Sequence, residues 1–242
     1  MDSIKSNINN LTSLWKSATV PFQTYSEGEG FGYCYIKNSQ WPNRIWTKQK
    51  LTIEILNSIM ETINQSPEHL TFSYFDEGNS DAVELILGDG FTENFIQYGM
   101  SLKPHQLLDT SSDLNFLQVK KRDEITLWCQ SFEKAFGYQI DPETVESSLN
   151  KIDYFLIETA DGIVGTIILY QTGEVSGIHS LGVIPEKRGK GYAKSAMHMA
   201  LNLFYNQGVK LVALQASEMA RTMYEKLGFT TEFIMRNYSL KK

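Results

Sequence analysis

Apolar positions along the chain recur at two spacings, and the switches between them mark the elements. Ile4, Ile8, Leu11 and Leu14 fall at helical spacing in an otherwise polar N-terminus, which predicts a helix to about Trp15. GYCYI (32–36) reads as a strand, LTIEILNSIMETI (51–63) as an amphipathic helix and LTFSYF (70–75) as a strand. DAVELIL (81–87) reads as a short helix stopped by Gly88 and Gly90, and FIQYGMSLK (95–103) as a strand. KPHQLLDTSSDLN (103–115) is polar, broken by Pro104, and reads as a linker. Beyond it LQVKK reads as a strand, and TLWCQSFEKAFG (126–137) and PETVESSLNK (142–151) as helices. Three strands then follow in meander order up to Ile184, with hairpin turns at Asp161-Gly162 and Thr172-Gly173. A helix from about 191 to 206, the strand KLVALQA (210–216), a helix from about 218 to 227 and two closing strands complete the chain.

The pattern contains a repeat. GDGFTENFIQYGMSLK (88–103) aligns without a gap on KLGFTTEFIMRNYSLK (226–241), with eight identities in sixteen positions at an offset of 138 residues. Upstream of each copy lie a strand, a short helix and a Gly-Phe pair, so duplication explains the match better than chance does. Two tandem domains are expected, 1–112 and 113–242, and 242 residues suit two domains of about 120 each.

Composition narrows the function classes. A net charge of −6 argues against nucleic-acid binding, which needs a basic face. The two cysteines, Cys34 and Cys129, are far apart, and no Cys/His cluster suits a metal. This usage fits a reducing compartment, so a cytoplasmic location is expected. The N-terminus lacks an uninterrupted apolar core of the kind a secretory signal has, and no run approaches the roughly 18 apolar residues of a membrane span.

Candidate chemistry gathers in PEKRGKGYAKS (185–195), which places two glycines and four cations between an apolar run and a helical one. Gly189 and Gly191 allow close approach and positive φ. Backbone N–H groups of such a loop and of the helix start behind it form an anion site, and a diphosphate is its natural guest. Taken alone, the stretch reads as a solvated basic turn rather than as a site. It follows an antiparallel meander, and it lacks both the GxGxxG spacing of a dinucleotide fold and the terminal Lys-Ser/Thr of a P-loop. GEGFG (28–32) is also glycine-rich, but it carries Glu29, follows Glu27 and precedes a strand, so it reads as a turn or bulge.

In its context the stretch resembles the acyl-CoA loop of the GNAT acetyltransferase superfamily. Arg188-Gly189-Lys190-Gly191-Tyr192-Ala193 satisfies the family pattern Q/R-x-x-G-x-G/A. LGVIPEKR before it resembles the family's strand and its exit, and SEMARTMYEKLGF (217–229) resembles its second signature. The resemblance covers roughly residues 115 to 242. It implies an α+β fold, a mixed and mostly antiparallel sheet flanked by helices, here in two GNAT-like domains. It implies acetyl transfer from acetyl-CoA to a primary amine of a small-molecule or peptide acceptor, with no metal. It implies that the amides of Arg188 through Ala193 hold the CoA pyrophosphate, that Leu181, Gly182 and Val183 pair with the pantetheine arm, and that Tyr224 is the general acid. Tyr224 also lies on one apolar face with Ala220, Met223 and Leu227, where a tyrosine can simply be core.

The sequence departs from the family at the base. Where many members carry a glutamate, this chain has Gly177, and the family asparagine before the second helix is Ser217, expected beside the cofactor. His179 shares strand parity with Gly177 and is the candidate base or water relay, or else a hydrogen-bonded core histidine. Glu174 is a weaker candidate, and His198 reads as surface. In the first half the equivalent loop, near WTKQKL (46–51), has no glycine, and Trp46 stands where Arg188 does. That half is therefore expected to be a degenerate GNAT-like copy. The missing glutamate also motivates an alternative, an acyl-CoA-binding sensor with impaired catalysis.

Overall fold

The computed structural model describes residues 1–110 and 113–241. Residues 111 and 112, where the expected domain boundary falls, lie outside the described residues. The N-terminal half runs α1 (Ser3–Thr19), β1 (Tyr25–Gly28), β2 (Phe31–Cys34), β3 (Arg44–Thr47), α2 (Ile53–Gln65), β4 (Thr71–Asp76), α3 (Ser80–Gly88) and β5 (Phe91–Leu102). The C-terminal half runs β6 (Asn115–Gln118), α4 (Arg122–Phe136), α5 (Pro142–Ser148), β7 (Asp153–Thr159), β8 (Gly162–Thr172), β9 (Val175–Val183), α6 (Tyr192–Asn206), β10 (Leu211–Ala216), α7 (Glu218–Lys226) and β11 (Thr230–Leu240). The fold is α+β, as the resemblance implies.

All eleven strands form one sheet, in the order β1-β2-β3-β4-β11-β5-β10-β9-β8-β7-β6. Its pairs are antiparallel except β3/β4 and β9/β10. The last strand of each half is inserted beside the other half: β4 pairs with β11, and β10 with β5. The central β5/β11 register is symmetric about Gln97↔Met235, because Thr92↔Ser239 is mirrored by Ser101↔Thr230 at the 138-residue offset of the sequence repeat. The irregularities mirror as well. Asn94 and Glu232 are the extra residues at the two bulges, and each side chain bonds the serine opposite, Asn94 Nδ2 to Ser239 Oγ at 2.6 Å and Ser101 Oγ to Glu232 Oε2 at 2.7 Å.

Apolar side chains fill both faces. One face carries α1, α4 and α5 over Trp46, Phe75, Phe233 and Met235. The other carries α6 and α7 over Tyr98, Met100 and Leu214, and α2 and α3 over Ile45, Phe72 and Phe91. Two asparagines interrupt the buried stripe of α1 and are fully buried. Asn7 Nδ2 donates to Met100 O at 2.9 Å, and Gln215 Nε2 donates to Asn7 Oδ1 at 2.6 Å. Asn10 Nδ2 donates to Tyr170 O and to Thr172 Oγ1, both at 3.0 Å. Helix α1 therefore ties β5 and β10 to β8 with hydrogen bonds that would otherwise be missing under a buried helix.

Several expectations need correction. The two closing strands are one bulged strand, β11, because the sheet continues through Glu232. Strands β1 and β3, each four residues long, are additional to the expected elements, and Trp46 lies inside β3 in the core, not in a loop. The connection after β5 is no free linker. Leu108 N and O bond Asn202 at 2.7 and 2.8 Å, and Asp109 O meets His198 Nδ1 at 2.6 Å, so His198 holds this segment against α6.

Candidate acyl-CoA site

Strands β9 and β10 run side by side only from Val175↔Leu211 to Gly177↔Ala213, although β9 continues to Val183 and β10 to Ala216. Beyond Gly177 the two diverge, and the β10-side edge of β9 has no strand partner among the described residues. A bulge sits in this stretch. Ser180 and Leu181 face the single residue Ile167, and Ser180 takes a left-handed φ of 50°. Thr166 Oγ1 braces it by donating to Ser180 O at 3.2 Å. Such conformations are costly for a residue with a Cβ and tend to re-aim backbone groups at functional sites. Burial changes at the same place: Val175 to His179 are buried, while Ser180 to Val183 are partly exposed.

The expected loop leaves β9 through a 3-10 turn at Pro185–Lys187 and enters α6 at Tyr192. Gly189 and Gly191 have φ of 77° and 81°, and a Cβ at either position would meet open space, so conformation and not crowding demands glycine here. Gly191 is the N-cap residue and supplies no side-chain cap to α6. The amides of Gly189 to Ala193 accordingly take no part in the hydrogen bonds among the described residues, and they sit at the positive end of a 15-residue helix. A diphosphate group fits this nest.

Arg188 behaves differently from the other loop residues. Its amide donates to Pro185 O at 3.2 Å, and its guanidinium donates to Val183 O at 3.0 Å and Ala135 O at 2.9 Å. It clamps the loop to the tip of β9 and the C-terminus of α4, where carbonyls carry the negative end of the helix dipole. The cradle is thus framed by Arg188 and lined by the five residues after it. The same helix end closes on β9, because a Cβ at Gly182 would stand 2.5 Å from Phe136 and 2.9 Å from Ala135.

Tyr224 projects from α7 into the cluster that also holds Ala196 of α6 and Leu214 and Ala216 of β10, with Leu181 and Tyr192 packed against it. It is 7% exposed, and its hydroxyl has no hydrogen-bond partner among the described residues. Burial raises its pKa, so the phenol stays protonated. Ser217 caps the start of α7 by position only, is exposed, and makes no side-chain cap bond.

His179 is 8% exposed beneath α1, and its Nε2 meets Asn10 Oδ1 at 2.9 Å. Both Asn10 amide hydrogens are already donated, so Oδ1 accepts and the His179 proton sits on Nε2. Burial pushes this imidazole down to about 4, which makes it neutral and a weak base at pH 7. A Cβ at Gly177 would lie 2.0 Å from Asn10 Oδ1 and 2.1 Å from His179 Nε2. The space for a glutamate at that position is therefore occupied by the Asn10–His179 pair. Glu174 is exposed, and its carbonyl pairs with Lys210 N at 2.9 Å.

The first half lacks these features at the corresponding connection. Its loop, residues 48–52 between β3 and α2, ends at Thr52, whose own side chain caps the helix by accepting from Ile55 N at 3.4 Å. Sequence reasoning missed the Ser180 bulge and the Asn10 contact. The first has no compositional mark, but two asparagines in an apolar helical stripe are a readable signal of a buried polar network.

Residues 150–231 match the model of the family described as "Acetyltransferase (GNAT) domain". No curated protein matches the sequence. Solved structures share the fold over most or all of the chain. A GCN5-related N-acetyltransferase from Kribbella flavida superposes with a TM-score of 0.74 at 14% identity, covering 100% of this chain and 96% of that one. Another, from Sphaerobacter thermophilus, gives 0.65 at 16% identity, over 86% and 76% of the two chains. A conserved protein of unknown function from Staphylococcus epidermidis gives 0.65 at 18%, over 91% and 94%. Among the described residues no helix is long and apolar enough to cross a membrane.

Proposed function

We propose that the protein is an N-acetyltransferase that moves the acetyl group of acetyl-CoA to a primary amine on a small-molecule or peptide acceptor. The observation that carries the reading is the uncapped, glycine-nested start of α6 at the end of the strand that parts from β10. Acetyl-CoA, when bound, supplies the activated thioester. The amides of Gly189, Lys190, Gly191, Tyr192 and Ala193 suit its diphosphate, with Lys190 adding charge beside them and Arg188 fixing the frame. The free edge of Leu181, Gly182 and Val183 suits the peptide-like pantetheine arm, and Ser217, the exposed residue before α7, is assigned to the same site. Tyr224, held protonated by burial, suits the role of proton donor to the departing sulfur.

An amine of pKa about 10 must lose a proton before it attacks. The low basicity of His179 favours water as the immediate acceptor, with the Asn10–His179 pair holding the floor of the cleft in place. We read residues 1–112 as a degenerate GNAT-like copy and residues 113–242 as the working one. This division is supported by the mirrored β5/β11 register, by the parallel β3/β4 pair, and by the self-capped Thr52 loop. Cys34 and Cys129 are buried free thiols with burial pushing both up to about 12, which suits the cytoplasmic setting we assign.

The test is release of free thiol from acetyl-CoA with a panel of amines: polyamines, aminoglycosides, amino acids, peptides with free N-termini and lysine-bearing peptides. Amine-dependent thiol release that falls in Tyr224→Phe supports the transferase. Binding without turnover across the panel would contradict it and point to a sensor.

A further inference from the structure

One arginine on the α1 face plays no part in the proposed reaction. Arg44 opens β3 and reaches into the layer under α1, where its guanidinium carbon lies 5.7 Å from the centroid of the Trp15 ring. Among the described residues its guanidinium makes one hydrogen bond, from Nη1 to Asn237 Oδ1 at 3.1 Å. Asn237 is fully buried, and the same oxygen accepts from Ser73 Oγ at 3.0 Å, so the acceptor that orients Arg44 is itself fixed.

What Arg44 lacks is an anion. Among the described residues no carboxylate lies within 4.0 Å of it, whereas Arg221 and Arg236 both have acidic partners. Burial lowers its pKa, and the opposing influences come from Tyr138 and Cys34, not from an acid. A guanidinium carries five N–H donors in a fixed fork, and a desolvated one without an anion is a standing cost to the fold. Arg44 nonetheless keeps part of its surface exposed.

We propose that the N-terminal half holds a binding site for an organic monocarboxylate, centred on Arg44 and oriented by Asn237. A planar carboxylate accepts two parallel N–H bonds from one guanidinium, whereas a polyphosphate calls for several cations. The surroundings are aromatic: Trp15 packs on Trp46 with ring centroids 5.4 Å apart, and Tyr138 of the α4–α5 connection packs against the same cluster. The ligand is therefore a carboxylate on an apolar or aromatic body.

The experiment measures binding to the full chain by calorimetry and thermal melting, without acetyl-CoA, so its outcome is separate from that of the transferase reading. The probes are sodium phenylacetate and sodium hexanoate, with their neutral amides as controls. The carboxylates should bind saturably and the amides should not, and affinity should fall about 10- to 100-fold in Arg44→Gln. Arg44→Lys keeps the charge but loses the fork, so it should also bind more weakly; it decides the matter if the Gln variant fails to fold. Equal binding of amide and carboxylate, or carboxylate affinity unchanged in the folded variants, would overturn the site. Inorganic phosphate binding more tightly than either carboxylate, and losing affinity in the same variants, would overturn the ligand class.

Discussion

Gly177→Ala probes the packing beneath the opened strands most sharply. The added Cβ would stand 2.0 Å from Asn10 Oδ1 and 2.1 Å from His179 Nε2, well inside contact distance. Neither neighbour steps aside freely. Asn10 is tied to Tyr170 O and Thr172 Oγ1, and His179 is enclosed by the sheet and α1. Overpacking of this kind costs about 1–3 kcal/mol, and breaking the buried Asn10–His179 bond adds about 1–2 kcal/mol. For a chain of this size each kcal/mol moves the melting temperature by about 2–4 °C, so a drop of about 4–20 °C is expected. Thermal melting followed by far-UV circular dichroism measures it. Asn10→Ala removes one of the two colliding groups, so Gly177→Ala should cost less in that background, with a coupling of about 1 kcal/mol or more. A single variant melting within about 1 °C of the parent, or strictly additive variants, would refute this account of the missing glutamate.

Three further outcomes follow from the site. His179 is held near 4 in the fold against 6.5 in an unfolded chain, so the unfolded state binds the extra proton between these values. Its stabilising contribution is therefore full above about pH 6.5 and lost as pH falls toward 4, about 3 kcal/mol in all; urea titrations at pH 7 and 4.5 should show a smaller loss in His179→Asn, and an equal loss would count against it. Tyr224→Phe should lower kcat by about 10²-fold while leaving acetyl-CoA affinity unchanged, and unchanged turnover would remove the acid role. Arg188→Gln gives up the clamp on Val183 O and Ala135 O and should weaken acetyl-CoA binding about 10-fold with little change in melting temperature; intact affinity would show that the loop keeps its shape unaided.

Much of this was legible in the residues because the signals are local. Hydrophobic spacing located α2, β4, α3 and α6 to within a few residues, and Gly189 and Gly191 marked the nest because only a left-handed start explains two glycines at a helix entry. The repeat at offset 138 carried long-range information, since its two copies form the central strand pair. What stayed hidden depends on pairing across the sheet. Local pattern does not say that β11 lies between β4 and β5, that Ser180 bulges, or that β9 parts from β10 after Gly177. Nor does the loop composition reveal that Arg188 spends its donors on carbonyls, because that depends on where α4 ends.

The central claim is that one acyl-CoA cradle exists in the chain and that the start of α6 forms it. Titration calorimetry with acetyl-CoA on the parent protein and on Gly191→Asp tests this directly. Gly191 adopts φ 81° at the N-cap, so aspartate there introduces both strain and a negative charge where the diphosphate is to sit. The account predicts saturable binding at one site per chain in the parent and none in the variant. No binding by the parent, two sites per chain, or affinity retained in a folded Gly191→Asp would contradict it.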